Sequence, residues 1–277
     1  MKPESENRYC ILTVDLEDWY HGKYPGFDYR RYEFSEHRVI EPTLKLLDII
    51  ENFGKATFFA LGEVAEQYPN LIKEIVHRGH EIACHGYEHT LASELGMEKW
   101  HYDLMRASEI ISKITGEQPL GYRAPNFSLN IKKTPWAFEI LERENFLYDS
   151  SVFPAKMYYG GSSKSPRFTY KIGGLIEFPP SALQFFGTRI VFSGGFYLRT
   201  LPVWFIKKGL KNYLEKGEMP LLYIHPKDID VQNPKLPIGI LGNWVHRAGR
   251  KKIMTKLNKI FHNFRTVSII ENFWGKK

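Results

Sequence analysis

The stretch GHEIACHGYEH, Gly79 to His89, puts a helix stop, a strand and a chemical site into one short piece of chain. Upstream, Leu71, Ile72, Ile75 and Val76 fall on one face of a helix, and Gly79 is the residue type that closes it. Glu81 to Cys84 then reads as a short strand. Two histidines four residues apart, His85 and His89, stand at its end. If the chain turns helically there, both imidazoles project from one face, as the ligands of a metal must.

The same unit recurs in both directions along the chain. Tyr9 to Val14 reads as a first strand, and Ile40, Leu44 and Leu47 mark a helix ending near Gly54. Ala56 to Leu61 is a second strand. Beyond His89 come a helix from Glu98 to Thr115 stopped by Gly116, a strand at Leu120 to Arg123, and a helix from Trp136 to Glu144 with Pro135 in its first turn. Between Asp149 and Phe196 the pattern breaks, and Tyr170 to Ile172 with Leu175 to Phe178 reads as a hairpin. A helix from Pro202 to Lys216, a strand at Leu221 to Ile224, a basic helix from His246 to His262 and a strand at Thr266 to Ile269 complete the chain. Strand–helix repetition without a linker predicts an α/β fold, one domain over residues 1–277 built on a parallel sheet. Periodicity leaves open whether that sheet is open or closed into a barrel.

In such folds the working residues sit at the C-terminal ends of the strands. Those ends carry Asp15-Leu16-Glu17-Asp18 after the first strand, His85 and His89 after the third, Arg123 after the fourth and His225 after the late one. Each alone also fits a solvated acid or a structural histidine. Together, two imidazoles and a carboxylate with positions left for water are the donor set of a catalytic divalent metal. Residues two apart on an extended segment share a face, which favours Glu17 over Asp18 as the carboxylate ligand; Asp18 takes that place if the chain kinks after Leu16.

The 277 residues are 43% hydrophobic and 25% charged, which excludes a disordered or fibrous chain. The net charge of +7 favours an anionic substrate or surface, but too few basic motifs accompany it for nucleic-acid binding. Aromatic residues reach 15%, which suits a packed core and also flat ligands such as sugar rings. Only Cys10 and Cys84 are present, so a disulfide framework is excluded and a reducing compartment is expected. Met1 to Tyr9 is polar and the apolar runs are strand-sized, so neither a signal peptide nor a membrane span is expected, and a cytoplasmic protein is.

The pieces TVDLEDWYHG (Thr13 to Gly22), ATFFALG (Ala56 to Gly62), GHEIACHGYEH, GYRAPNFS (Gly121 to Ser128), YDSSVFP (Tyr148 to Pro154) and LLYIHP (Leu221 to Pro226) resemble, in order, the motifs of the polysaccharide deacetylase superfamily, the carbohydrate esterases with NodB homology. The DLED and YRAPNFS forms look like its peptidoglycan-deacetylase-like and allantoinase-like branch. The resemblance implies a deformed (β/α) barrel of about seven parallel strands. It also implies a divalent metal, usually zinc, and hydrolysis of an N-acetyl group from an amino sugar, polymeric or linked to a lipid or nucleotide.

Carried over by motif, Asp15 matches the general base, Arg123 the arginine that orients it, His85 and His89 the metal histidines, and His225 the acid that protonates the leaving amine. The family's usual pair of adjacent acids is interrupted here by Leu16, which leaves Glu17 or Asp18 as the third ligand. If neither reaches, the chain would be a metal-independent hydrolase of a small amide, as in the allantoinase-like members. Trp19, Tyr20 and His21, with Phe127, Phe196 and Tyr197, are candidates to line a sugar pocket. A backbone N–H near Tyr87 or Asn126 is the expected oxyanion donor, and Asp149 is a candidate to tune His225. Basic runs such as Lys207-Lys208 and Arg250-Lys251-Lys252 suggest contact with an anionic membrane or a lipid-linked sugar. A homo-oligomer is compatible with the sequence.

Overall fold

Side-chain alternation along the first strand divides the molecule into an inside and an outside. The computed structural model describes residues 8–24, 26–31, 36–157 and 160–275; the polar stretch up to Asn7 lies outside the described residues. The strands are β1 (Tyr9–Leu16), β2 (Thr57–Ala60), β3 (Glu81–Cys84), β4 (Gly121–Tyr122), β5 (Tyr148–Asp149), β6 (Tyr170–Ile172), β7 (Leu175–Glu177), β8 (Ala182–Phe185), β9 (Thr188–Val191), β10 (Leu221–Ile224) and β11 (Arg265–Val267). On β1, Cys10, Leu12, Val14 and Leu16 pack outward into the main apolar core against the helices. Ile11 joins a smaller inner core with Phe59, Ala83, Tyr148 and Leu221. Strand period two therefore aligns Ile11, Thr13 and Asp15 along the inner face, rising toward the C-terminal end.

Seven strands run parallel in the order β10-β1-β2-β3-β4-β5-β7, with β6 antiparallel at the edge and β11 beside the first half of β1. The segment after β7 spans the gap back to β10: Ser181 N–H donates to Leu221 O at 3.2 Å, and Tyr223 N–H to Ser193 O at 2.8 Å. The sheet is thus the deformed barrel that the resemblance implies. Its floor is a polar plug in which Tyr148 Oη donates to Glu81 Oε1 at 2.6 Å and Thr57 Oγ1 to Glu81 Oε2 at 2.5 Å. Gly121 is needed on the inner wall, because a Cβ there would lie 1.9 Å from the Tyr148 ring.

Several sequence expectations shift. The first helix, Ile40–Ile50, buries Leu46, Leu47 and Ile50 and leaves Ile40 exposed. The basic helix is two helices, Gly239–Arg247 and Arg250–Phe261, because Gly249 adopts φ 79° between them. The last strand stops at Val267, and Ile269 opens a helix capped by Ser268. The β8–β9 hairpin lies where no regular element is expected, since its residues are half exposed and lack a sustained apolar alternation.

Candidate active site

The ends of β1, β3, β4 and β10 bring polar side chains together at the C-terminal mouth of the barrel. Asp15 lies near the end of β1, Glu17 just beyond it, His85 after β3, Arg123 after β4 and His225 after β10. They border a cavity of about 410 Å³, except Arg123, which lies behind it and is fully buried.

Arg123 organises the wall. Its Nη1 donates to Asp15 Oδ1 at 2.6 Å and to Thr13 Oγ1 at 2.8 Å, and its Nη2 donates to Ser150 Oγ at 2.7 Å. The guanidinium lies over the Phe59 ring, 4.1 Å from its centroid. Burial alone would raise the Asp15 carboxyl, but the Arg123 guanidinium beside it outweighs burial and holds the group below the usual carboxylate range.

Glu17, His85 and His89 each offer a ligand atom, all within 4.8 Å of one another, and they are the one such group of three among the described residues. His85 Nδ1 lies 2.7 Å from Arg123 O, so it donates there and leaves the Nε2 lone pair free. His89 Nε2 lies 2.8 Å from Glu17 Oε2, within ion-pair distance, and that buried oxygen has no well-formed hydrogen bond among the described residues. Burial pushes His85 down to about 4 and lowers His89 too, which keeps both imidazoles neutral. Converging lone pairs around an orphaned carboxylate oxygen fit a divalent cation.

The ligand loop is not helical. The chain between β3 and Ala92 is irregular, and the two rings sit 5.5 Å apart because Gly86 turns with φ 81°. Asp103, on the Ala92–Thr115 helix, fastens that loop by accepting Tyr87 N–H at 2.8 Å and Glu88 N–H at 3.2 Å. A side chain at Gly86 would place its Cβ 2.8 Å from Asp103 Oδ2.

His225 Nε2 stands 3.6 Å from both Asp15 Oδ2 and Glu17 Oε1. Its Nδ1 lies 2.8 Å from Asp228 Oδ2, and Arg199 Nε lies 2.8 Å from Asp228 Oδ1. Burial opposes ionisation of Asp228, but His225 and Arg199 overcome it and hold the carboxyl far below its ordinary range. Lys227 Nζ donates to Glu17 Oε1. Neither Lys227 nor Asp228 was expected from the sequence, although both stand in the run His225-Pro226-Lys227-Asp228 that closes β10.

Other expectations are corrected. Asp18 lies outside the Glu17, His85 and His89 cluster: its carboxylate accepts Trp19 N–H at 2.7 Å and Arg38 N–H at 2.9 Å. Trp19 packs with Tyr20, Phe27 and Leu236, outside the cavity. His21 stands behind the site, accepting Asp18 N–H at 2.9 Å, meeting Glu63 Oε1 at 2.9 Å and stacking on His89 at 6.4 Å. The Tyr87 phenol points outward to Glu66, and its N–H is already bonded to Asp103, so it offers no oxyanion donor. Asn126 does line the cavity, with a buried, unpartnered Nδ2; Phe127, Phe196 and Tyr197 line it too. Asp149 does not reach His225. It accepts from Ser151 Oγ at 2.6 Å and pairs with Glu177, whose carboxyl burial and the Asp149 charge push well up. Cys84 points into the outer core, as strand alternation requires.

The family described as Polysaccharide deacetylase matches residues 35–137, and a domain of unknown function, DUF3473, matches residues 150–273. A peptidoglycan deacetylase-like protein of Gibberella zeae is 32% identical over 167 residues, covering 57% of this chain and 48% of that protein. A peptidoglycan-N-acetylglucosamine deacetylase of Bacillus cereus is 32% identical over 115 residues, covering 41% of this chain and 40% of that protein. The chain thus spans about half or less of the length of these relatives. A crystal structure from Mycobacterium smegmatis, described as a polysaccharide deacetylase, shares the fold with a TM-score of 0.61 at 21% identity, covering 98% of this chain and 91% of that one.

Proposed function

We propose that this chain, which matches the polysaccharide deacetylase family over residues 35–137, is a metal-dependent hydrolase that removes the N-acetyl group of an amino sugar. The observation that carries this reading is the convergence of Glu17, His85 and His89 beside an Asp15 clamped by Arg123.

Glu17, His85 and His89 would hold the metal, and two imidazoles with one carboxylate suit zinc. When bound, a divalent metal supplies a Lewis acid for the amide carbonyl and lowers the pKa of a water. Asp15 takes the proton of the attacking water; Arg123 keeps it ionised and aims it. Lys227 holds the far oxygen of Glu17, which fixes the carboxylate and limits the charge that gathers at the mouth. Asn126 Nδ2, buried beside the cavity and unpartnered among the described residues, would donate to the oxygen of the tetrahedral centre. An amine leaves poorly unless protonated, and His225 delivers that proton from Nε2 while Asp228 steadies its Nδ1–H.

Elemental analysis of the purified protein, followed by release of acetate from an N-acetylated glucosamine oligomer, tests the reading. One divalent metal per chain and its loss in His85→Ala/His89→Ala, together with activity, are expected. Stoichiometric metal retained by that double variant would refute the ligand set. Turnover of acetamido sugars by a metal-stripped enzyme would refute the metal's role.

A further inference from the structure

From Val231 to Ile270 the chain contains eight Lys or Arg residues and no Asp or Glu. Within this stretch the Gly239–Arg247 helix leaves Ile240 93%, Leu241 75% and Trp244 58% exposed. These three positions fall on one side of the helix, and the opposite side buries His246. Lys235 and Arg247 border the same shallow cleft as Ile240 and Trp244, and Lys251 and Lys252 are exposed in the first turn of the next helix. A lone exposed leucine needs no explanation, but adjacent aliphatic residues and a tryptophan on a basic helix form a contact surface.

The patch also runs into the active-site mouth. The Trp244 ring meets Phe196 edge-on at 5.6 Å, and Phe196 and Val245 line the cavity. We propose that this face seats the protein on an anionic lipid bilayer, with Ile240, Leu241 and Trp244 entering the interface and the surrounding lysines and arginines meeting lipid phosphates. Apolar residues rimmed by uncompensated cations are the pattern of an interfacial helix. A second copy fits less well, because two such faces would bring like charges together. Nucleic acid would satisfy the cations but leave Ile240 and Leu241 unmatched. The inference stands without the deacetylase reading; where both hold, the cavity mouth lies at headgroup level, facing a sugar carried on a lipid.

Co-sedimentation with phosphatidylcholine vesicles, with and without phosphatidylglycerol, tests this. Binding to the phosphatidylglycerol vesicles that weakens with added salt is expected. Ile240→Ser/Leu241→Ser should lower partitioning about tenfold or more, since both side chains would enter the bilayer. Lys251→Gln/Lys252→Gln should lower it roughly tenfold on anionic vesicles alone. Both variants change exposed side chains, so thermal unfolding should match the parent and separate lost docking from lost folding. Undiminished binding by Ile240→Ser/Leu241→Ser, or equal binding to neutral vesicles, would overturn the proposal. So would a dimer in size-exclusion chromatography that this double variant dissolves, or an oligonucleotide bound more tightly than the vesicles and unaffected by it.

Discussion

Asp15 and Arg123 show how a buried charge is made useful. The carboxylate alone would favour its protonated form at this depth, yet the guanidinium at 2.6 Å reverses that preference. Arg123 is itself secured by Thr13 and Ser150, so the pair has few other geometries available. Removing one partner leaves the other buried without compensation, at a cost of about 3–5 kcal/mol. Arg123→Met should therefore lower stability in denaturant titrations by that order as well as activity. Asp15→Asn separates the functions: metal content should hold while turnover falls ~10²–10⁴-fold, the range of general base catalysis. Near-parental turnover of an N-acetyl sugar by Asp15→Asn would remove Asp15 from the role of base. Asp228→Asn should lower turnover with metal content unchanged, because Asp228 orients His225, and it should also cost stability, because buried Arg199 loses the charge of its carboxylate partner.

Among the elements, the loop that carries His85 and His89 depends on a helix that contributes neither residue. Asp103 holds two amides of the loop between His85 and His89, on a helix anchored by buried Trp100, Leu104, Ala107 and Ile111. Groups that fix ligand geometry from behind typically matter about 10–100-fold in metal affinity. Asp103→Ala should lower metal affinity by about tenfold, measured by competition with a chelator, while the far-ultraviolet dichroism stays that of the parent. Unchanged affinity would mean that strand β3 and Gly86 suffice to set the loop.

Across the molecule as a body, acid should loosen the fold through histidines that are buried neutral. His80 packs against Phe58, accepts Ala56 N–H at Nδ1 and is pushed by burial down to about 4. A group with a lowered folded pKa contributes stability that is present above its unfolded value, about 6.5, and is lost as pH falls toward 4. Thermal midpoints should accordingly drop between pH 7 and pH 5. His80→Asn retains an acceptor for Ala56 N–H without an ionisable ring, so it should flatten that slope; an unchanged slope would place the acid sensitivity elsewhere.

Much of this was legible in the residues, because strand period is a local property. Alternation along Thr13 to Glu17 puts Asp15 and Glu17 on one face, and it turns Cys84 outward while His85 turns inward; both hold in the structure. Glycines and prolines marked most element ends for the same reason, since they act on the backbone that carries them. The residues left open whatever concerns partners distant along the chain. Periodicity could not distinguish an open sheet from a barrel, because closure depends on Ser181 and Ser193 meeting β10. Nor could it settle which of Glu17 and Asp18 lies beside His85 and His89: Arg38 N–H donates to the Asp18 carboxylate, and Lys227 arrives beside Glu17 only because β10 pairs with β1. Local order along the chain was enough to place the chemical groups at the strand ends. Which of them face one another was a matter for the folded molecule, because such pairings bridge segments whose separation in sequence carries no periodic signal.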